Sequence, residues 1–320
     1  MEKCSVPLNP PVSAIGPFYL CAIVRDEEEG LAEWIAYHHL IGIDHFVIYD
    51  NGSADGTTTL LDRFAAAGIV TRIDWPDRPP PQWLTYGGML RLLDAVPDPR
   101  TASWGSLGAL GPQISAYNDA LSRFGDRAAW MLFIDADEFL LLPEDGHLTR
   151  FLDRFPRPDI GAIGLHWRYF GSAGQLEPDG RLVVERFTRC AEAAFPGHAH
   201  IKTLARPVAL DRMAVHAGLL RPGYSYVNDC GTAFTPRHLA FNDPISHRYS
   251  QLNHYSVKSR AEFERKRAKG NATLGSRHPE GAIEAEYFKR QDLNDVEDRR
   301  LAMWTATVRD HAARLLSGPR

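Results

Sequence analysis

Three carboxylates, Asp135, Asp137 and Glu138, follow directly on the apolar run Ala129–Ile134, where a strand leaving a hydrophobic core would end. Acids this close repel one another and lose hydration in a partly closed site, so the cluster needs a positive partner. A divalent cation would serve: Asp135 and Asp137 offer hard oxygen ligands, and Mg²⁺ or Mn²⁺ held by such ligands keeps positions open for water or phosphate oxygens. The plainer reading is that the two aspartates only end a strand and accept hydrogen bonds from the next backbone amides. For a D-x-D pattern in isolation that reading is the better one, so context must decide.

A second polar stretch, Tyr49-Asp50-Asn51-Gly52-Ser53-Ala54-Asp55-Gly56-Thr57, also follows an apolar run. Asn-Gly and Asp-Gly make turns, and Asp55 or Thr57 can cap a following helix. Capping does not require Asp50. Beside Arg25-Asp26-Glu27, an acid at position 50 could accept hydrogen bonds from a base or ribose laid over a sheet edge. One acidic strand end suited to a nucleoside and another suited to a metal-bound diphosphate describe a nucleotide-sugar pocket.

The elements that must position these residues are legible as alternating apolar runs and helical patterns, the mark of an α/β domain with a mostly parallel central sheet. Strands are expected at 19–24, 45–49 and 69–73. Between them, Leu31, Trp34, Ile35, His38 and Ile41 share one helix face ending at Gly42, and Leu60, Leu61 and Phe64 share another ending at Gly68. A helix over Pro112–Phe124 delivers the chain to the strand before Asp135. In open α/β sheets the C-terminal strand edge is where ligands bind. Later strands are expected at 160–165, 182–187, 201–205 and 213–217, then charged helices at 261–269 and 284–316. Residues 78–111 form a Pro/Gly-rich insertion with scattered aromatics, read as a functional loop that shapes acceptor choice.

Composition sets the class. The chain has 320 residues, 44% of them hydrophobic, with a net charge of −4, which gives no electrostatic case for nucleic acid as a partner. Residues 1–17 contain no continuous apolar signal region and are expected to be flexible, and no later stretch approaches the roughly 20 apolar residues of a membrane span. The expectation is a cytoplasmic protein, at most peripheral to the inner membrane. Cys4, Cys21, Cys190 and Cys230 lie far apart, so neither a zinc site nor a disulfide framework is implied. The Arg- and Ala-rich usage suggests a bacterial source.

CAIVRDEEEGLAEWIAYHHLIGIDHFVIYDNGSADGT, the helix carrying Gln113 to Asn118, and WMLFIDADEF together resemble the GT-A glycosyltransferases of the family 2 type, especially the branch related to family 92. The likeness continues through WRYFGS, ERF, HIK and NHYSVKS. It implies a Rossmann-like GT-A domain over residues 18–270, with residues 271–320 as a C-terminal helical extension. It further implies a metal-dependent transferase that moves a sugar from a nucleotide-sugar donor, a UDP-sugar being favoured, to a glycan or lipid-linked acceptor. Asp135, Asp137 and His254 would hold Mn²⁺ or Mg²⁺. Asp50, with Arg25 less securely, matches the nucleoside side, and Lys258 is placed to meet the β-phosphate from a starting helix. Glu185, or else Asp229, would take the acceptor's proton. Glu262 and Lys266 are spaced as a helix i,i+4 pair, and Arg265–Lys269 reads as charged surface or a weak contact with anionic lipid. The alternatives are a sugar nucleotidyltransferase, disfavoured because the first strand runs into RDEEEG rather than a Gly-rich phosphate loop, and a non-catalytic binding protein on a degenerate GT-A fold.

Overall fold

The computed structural model describes residues 16–75, 111–269 and 282–317. The insertion expected at 78–111 lies outside them apart from Gly111, as do residues 1–15. The chain opens with β1 (Phe18–Val24), α1 (Glu28–Leu40), β2 (His45–Asp50), α2 (Thr57–Ala66) and β3 (Val70–Asp74). After α3 (Pro112–Phe124) comes β4 (Trp130–Phe133), and the parallel pairs β3–β2–β1–β4 make four of the ten strands described in the main sheet. Its strands read as nearly unbroken apolar runs because both faces are covered. Leu20, Ala22, Phe46 and Ile48 meet Trp34, Ile35, Leu61 and Phe64 of α1 and α2. Cys21, Ile23, Val47 and Tyr49 meet Ala116, Tyr117 and Ala120 of α3. Cys21 thus packs inside a strand, as expected.

The second half contains β5 (Glu138–Leu141), α4 (Leu148–Leu152), β6 (Ile160–Tyr169), α5 (Val183–Arg186), β7 (Arg189–Cys190), β8 (Ile201–Ala205), β9 (Leu210–Met213), β10 (Gly218–Leu220), β11 (Ser225–Val227), β12 (Ala233–Phe234) and β13 (Gln251–His254). The described chain ends with α6 (Arg260–Ala268), α7 (Ala282–Gln291), β14 (Val296–Glu297) and α8 (Thr305–Ser317). β8 inserts antiparallel between β4 and β6, pairing Phe133 with Thr203 and His166 with Ile201. The start of β8 therefore lies at the edge where β4 and β6 end, the edge that also carries the acidic turn.

α1 does more than cover the sheet. β13 hydrogen-bonds β5 along one side, and side chains of α1 serve the other. Trp34 Nε1 donates to the Glu138 carbonyl at 2.7 Å and Tyr37 Oη to the Leu140 carbonyl at 2.7 Å, while Leu140 N donates to His38 Nε2 at 3.3 Å. His38 Nδ1 faces the Trp34 carbonyl at 2.9 Å, which only accepts, so the proton sits on Nδ1. The strand after the acids is thereby held by a helix in place of a neighbouring strand. α1 ends in a Schellman turn: Gly42 has φ 108°, and Ile43 N donates to the His38 carbonyl at 3.0 Å. A Cβ at Gly42 would also lie 2.5 Å from the His147 ring, so glycine is required twice over.

Three expected elements are corrected. Residues 182–187 form the short helix α5, because the buried Glu33 carboxylate accepts from Val183 N at 2.7 Å and Val184 N at 3.0 Å, amides that a helix start leaves free. Met213 ends β9, and residues 214–217 are the turn to β10, closed by Ala214 N on the Ala217 carbonyl at 3.1 Å. The helix expected over 284–316 is broken. Asp292 accepts from Ser172 N at 2.6 Å and Asn294 from Ala173 N at 2.8 Å, and β14 then pairs with β7 before α8 begins. Short polar side chains that bind distant amides end a helix more effectively than its propensity extends it.

α8 docks on α1 through His39 Nδ1 and His311 Nε2, 2.8 Å apart. Burial lowers the His38 pKa to about 3 and, with the neighbouring His39 and Arg314, lowers that of His311 to about 4. The fold refuses protons that the unfolded chain accepts below about pH 6.5. The stabilisation from neutral histidine is therefore complete above that pH and is lost as pH falls towards 4. Urea titrations from pH 7.5 to 5 should show a falling midpoint, with His311→Phe reducing the slope; a midpoint flat across this range would refute the neutral packing.

Candidate active site

The acidic turn is held from below. Asp135 Oδ1 accepts from Gln113 Nε2 at 2.7 Å, with Tyr117 Oη at 3.4 Å, and Oδ2 accepts from Lys202 Nζ at 2.9 Å. Lys202 is wholly buried on β8, and its ammonium also lies 3.9 Å from Glu138 Oε1. Burial works against the Lys202 charge, but Asp135 and then Glu138 override it and raise its pKa. Glu138 is fully buried, and burial pushes its pKa well up; Lys202 opposes this, while Asp135 and Asp137 add to it. A protonated Glu138 removes one negative charge from the cluster, and its Oε2 accepts from Asp135 N at 2.8 Å, fixing the turn.

Asp137 faces the other way. Its Oδ2 accepts from Lys266 Nζ of α6 and lies 3.6 Å from His254 Nε2 at the end of β13. Burial alone would raise the Asp137 pKa, but the Lys266 charge and then His254 hold it well below the usual carboxylate range. His254 packs 4.3 Å from the Trp167 ring, and its Nδ1 is buried without a partner. One turn further along, Lys269 Nζ donates to Glu27 Oε1 at 2.6 Å and to the Asp26 carbonyl at 2.9 Å, while Lys258 Nζ lies 3.9 Å from Glu27 Oε2. Two acidic patches of the strand edge are thus met by ammonium groups from in and around α6.

The site residues named from sequence fall into separate groups. Asp137 and His254 come together, whereas Asp135 is turned towards Lys202; among the described residues no three His, Cys, Asp or Glu side chains converge as a ready metal cluster. Asp50 buckles its own turn, accepting from Ser53 N at 3.0 Å and from the Thr58 hydroxyl at 2.6 Å. Asp55 accepts from Thr57 N at 2.9 Å and Glu28 N at 3.1 Å; the N-cap of α2 is Gly56, without a side-chain cap, so the expected cap by Asp55 is not formed and its carboxylate instead ties the starts of α1 and α2 together. Arg25 lies just beyond β1, its carbonyl accepting from Lys269 Nζ. Lys258 precedes the helix rather than starting it: Ser259 is the N-cap, in a capping box with Glu262, and Lys258 has φ 51°. Glu262 binds Arg186 at 2.7 Å, not Lys266, so the expected i,i+4 pair is not formed.

The two proton acceptors named from sequence are both engaged. Glu185 pairs with Arg309 of α8 at 2.9 Å. Asp229, 1% exposed, accepts from Tyr249 N at 2.8 Å and Ser250 N at 3.1 Å. The sequence assigns neither Lys202 nor Lys266 a place beside the acidic turn. For Lys202 the signal was present: a lysine inside the apolar strand Ile201-Lys202-Thr203-Leu204-Ala205 must find an acid. For Lys266 there was none, since a lysine on a charged helix reads as solvated.

Comparison with known proteins matches residues 17–272 to the model of glycosyltransferase family 92. A family 92 protein of Oryza sativa subsp. japonica is 28% identical over 214 residues, covering 65% of this chain and 30% of that protein. One of Ricinus communis is 25% identical over 228 residues, covering 67% and 33%. The match therefore spans about a third of the length of these curated relatives. Among solved structures, Staphylococcus aureus TarS 1-349 is similar over 85% of this chain and 69% of its own at 13% identity and a TM-score of 0.34. Glucosyl-3-phosphoglycerate synthase from Mycobacterium tuberculosis is similar over 50% of each chain at 18% identity and a TM-score of 0.23.

Removing a buried cation from its acids should be severe. Lys202→Met is expected to cost about 3–5 kcal/mol in urea unfolding, with part recovered when Asp135→Asn is added. A loss below about 1 kcal/mol would mean that Lys202 is not what neutralises the turn.

Proposed function

The chain belongs to glycosyltransferase family 92, and from that premise we propose that it transfers a sugar from a nucleotide-sugar donor to an acceptor hydroxyl, with a divalent cation on Asp137 and His254. The observation that carries this reading is the buried Asp137 beside His254 at the strand edge, its charge answered by the end of one lysine side chain. A carboxylate oxygen and an imidazole nitrogen are a donor pair suited to Mn²⁺. Lys266 reaches Asp137 on a flexible stem from a helix at the rim, so its ammonium can give way to a metal ion.

In this reading each residue has a physical task. A bound ion would stabilise the negative charge that builds on the departing nucleoside diphosphate. Lys258, Lys266 and Lys269 supply ammonium donors for phosphate oxygens. Lys202 sets a positive charge against Asp135 from within the sheet without itself reaching solvent. Asp50 has used two of its lone pairs within its turn and retains others for a nucleoside. Family membership supports the transferase class; a UDP-sugar donor, a glycan or lipid-linked acceptor and a place in bacterial polysaccharide assembly are expectations carried over from the sequence. No helix among the described residues is long and apolar enough to cross a membrane.

Thermal melts of the full chain with UDP, GDP, CDP and their sugars, with and without Mn²⁺, test the reading. One nucleotide should stabilise the protein in a Mn²⁺-dependent way, by about 2.7 kcal/mol at a hundredfold excess over Kd. Asp137→Ala should keep the fold and lose the Mn²⁺-dependent part. No shift with any nucleotide in the metal-loaded protein would end the proposal. Lys266→Ala removes the internal counter-charge and should lower the metal-free midpoint while enlarging the Mn²⁺ shift; an unchanged Mn²⁺ shift would refute its exchange with the ion.

A further inference from the structure

We propose that His200 is the general base of the transfer reaction, its Nε2 accepting the proton of the acceptor hydroxyl; this rests on the transferase reading given above. His200 stands immediately before β8, one residue beyond the Ile201–His166 pair, at the edge where β4 and β6 end and the acidic turn begins. The register thus puts it on the ligand-binding side of the sheet by construction.

The ring's tautomer is fixed. Nδ1 lies 3.0 Å from the Gly197 carbonyl, which can only accept, so Nδ1 carries the hydrogen and Nε2 presents a lone pair. Nδ1 of His216 and of His254 and Nε2 of His198 are buried without partners, whereas His200 as a residue is part-exposed. The ring is also clamped: it stacks on Trp167 at 4.8 Å and meets Phe241 at 4.2 Å and His216 at 5.7 Å. Trp167 carries His254 at 4.3 Å, so one indole orients both the imidazole beside Asp137 and the imidazole assigned to the acceptor.

The surroundings keep this base unprotonated at rest. Burial lowers its pKa first, and the nearby His254 and Lys202 add to the effect against the Gly197 hydrogen bond. The carboxylates on hand are less suited. Glu138 is 0% exposed, Asp229 has one oxygen committed to two backbone amides, and Glu185 is paired with Arg309.

The step balances without a further reagent. The acceptor oxygen bonds to the anomeric carbon as its proton passes to Nε2. The bond from that carbon to the diphosphate oxygen breaks, its electron pair leaving with the nucleoside diphosphate, and the imidazolium then returns its proton to solvent. A single displacement of this kind inverts the anomeric centre.

The test uses the full chain with Mn²⁺, a panel of UDP-, GDP- and CDP-hexoses and para-nitrophenyl hexosides as acceptors. His200→Ala should lower kcat by about 10²–10⁴-fold while leaving the donor-induced thermal shift intact, and added imidazole should restore part of the rate. His200→Gln should be inactive and unresponsive to imidazole, and the wild-type product should have the anomeric configuration opposite to the donor's. A His200→Ala rate within about threefold of wild type, a rate loss that imidazole does not relieve, or a product of retained configuration would each overturn the assignment. Those outcomes leave the transferase reading standing. Absence of any nucleotide-dependent shift or transfer in the wild type would remove that reading and this one together.

Discussion

Everything at the ligand edge depends on neutralising the negative charge of one turn. Two unit charges about 4 Å apart near a protein surface interact by about 4 kcal/mol, so Asp135, Asp137 and Glu138 cannot all stay ionised without cations beside them. The fold divides the task by depth. Lys202, wholly buried, answers Asp135 and Glu138 from within the sheet, and burial favours the protonated form of Glu138. Lys266, at the rim, answers Asp137. The inner lysine is wholly buried, whereas the outer one is part-exposed.

Holding the turn in place is a matter of backbone hydrogen bonds as much as charge. β5 begins at Glu138 and is gripped by β13 on one side and by Trp34, Tyr37 and His38 of α1 on the other. The first two loops of the edge are tied together: Asp26 N donates to the Ser53 hydroxyl at 3.0 Å, Glu27 N to the Thr57 hydroxyl at 2.8 Å, and Gly56 N to Glu28 at 3.0 Å. The acids of RDEEEG and of the Asp50–Thr57 turn thus serve first to lock these two loops to each other. An acid in a loop of this kind can be structural without ceasing to offer a lone pair to a ligand.

The places where sequence reading failed share a cause. Residues 182–187 are apolar enough for a strand, yet Glu33, some 150 residues earlier, captures their amides and turns them into a helix start. The long C-terminal helix is interrupted because Asp292 and Asn294 bind the loop after β6. Glu262 and Lys266 have ideal i,i+4 spacing but each finds a stronger partner across space, Arg186 and Asp137. Local pattern sets what a segment can do; a distant hydrogen bond in a low-dielectric setting outweighs the few tenths of a kcal/mol that local pairing contributes.

The sequence by itself determined the alternating α/β order, the two polar turns at strand ends and the family, because these rest on short-range periodicity and on motifs contiguous in the chain. It also brought Asp137 and His254 into one list through the resemblance, though not their distance. Only the tertiary structure decided that Asp135 belongs to Lys202 and Asp137 to Lys266, that Glu185 is tied to α8, and that His200 stands at the start of β8 on the edge of the acidic turn. Those outcomes depend on the register of an antiparallel strand inserted into a parallel sheet and on side chains far apart in sequence. No local spacing encodes which buried charge meets which partner; the packed fold does, because each buried charge must be answered by whatever the fold places beside it.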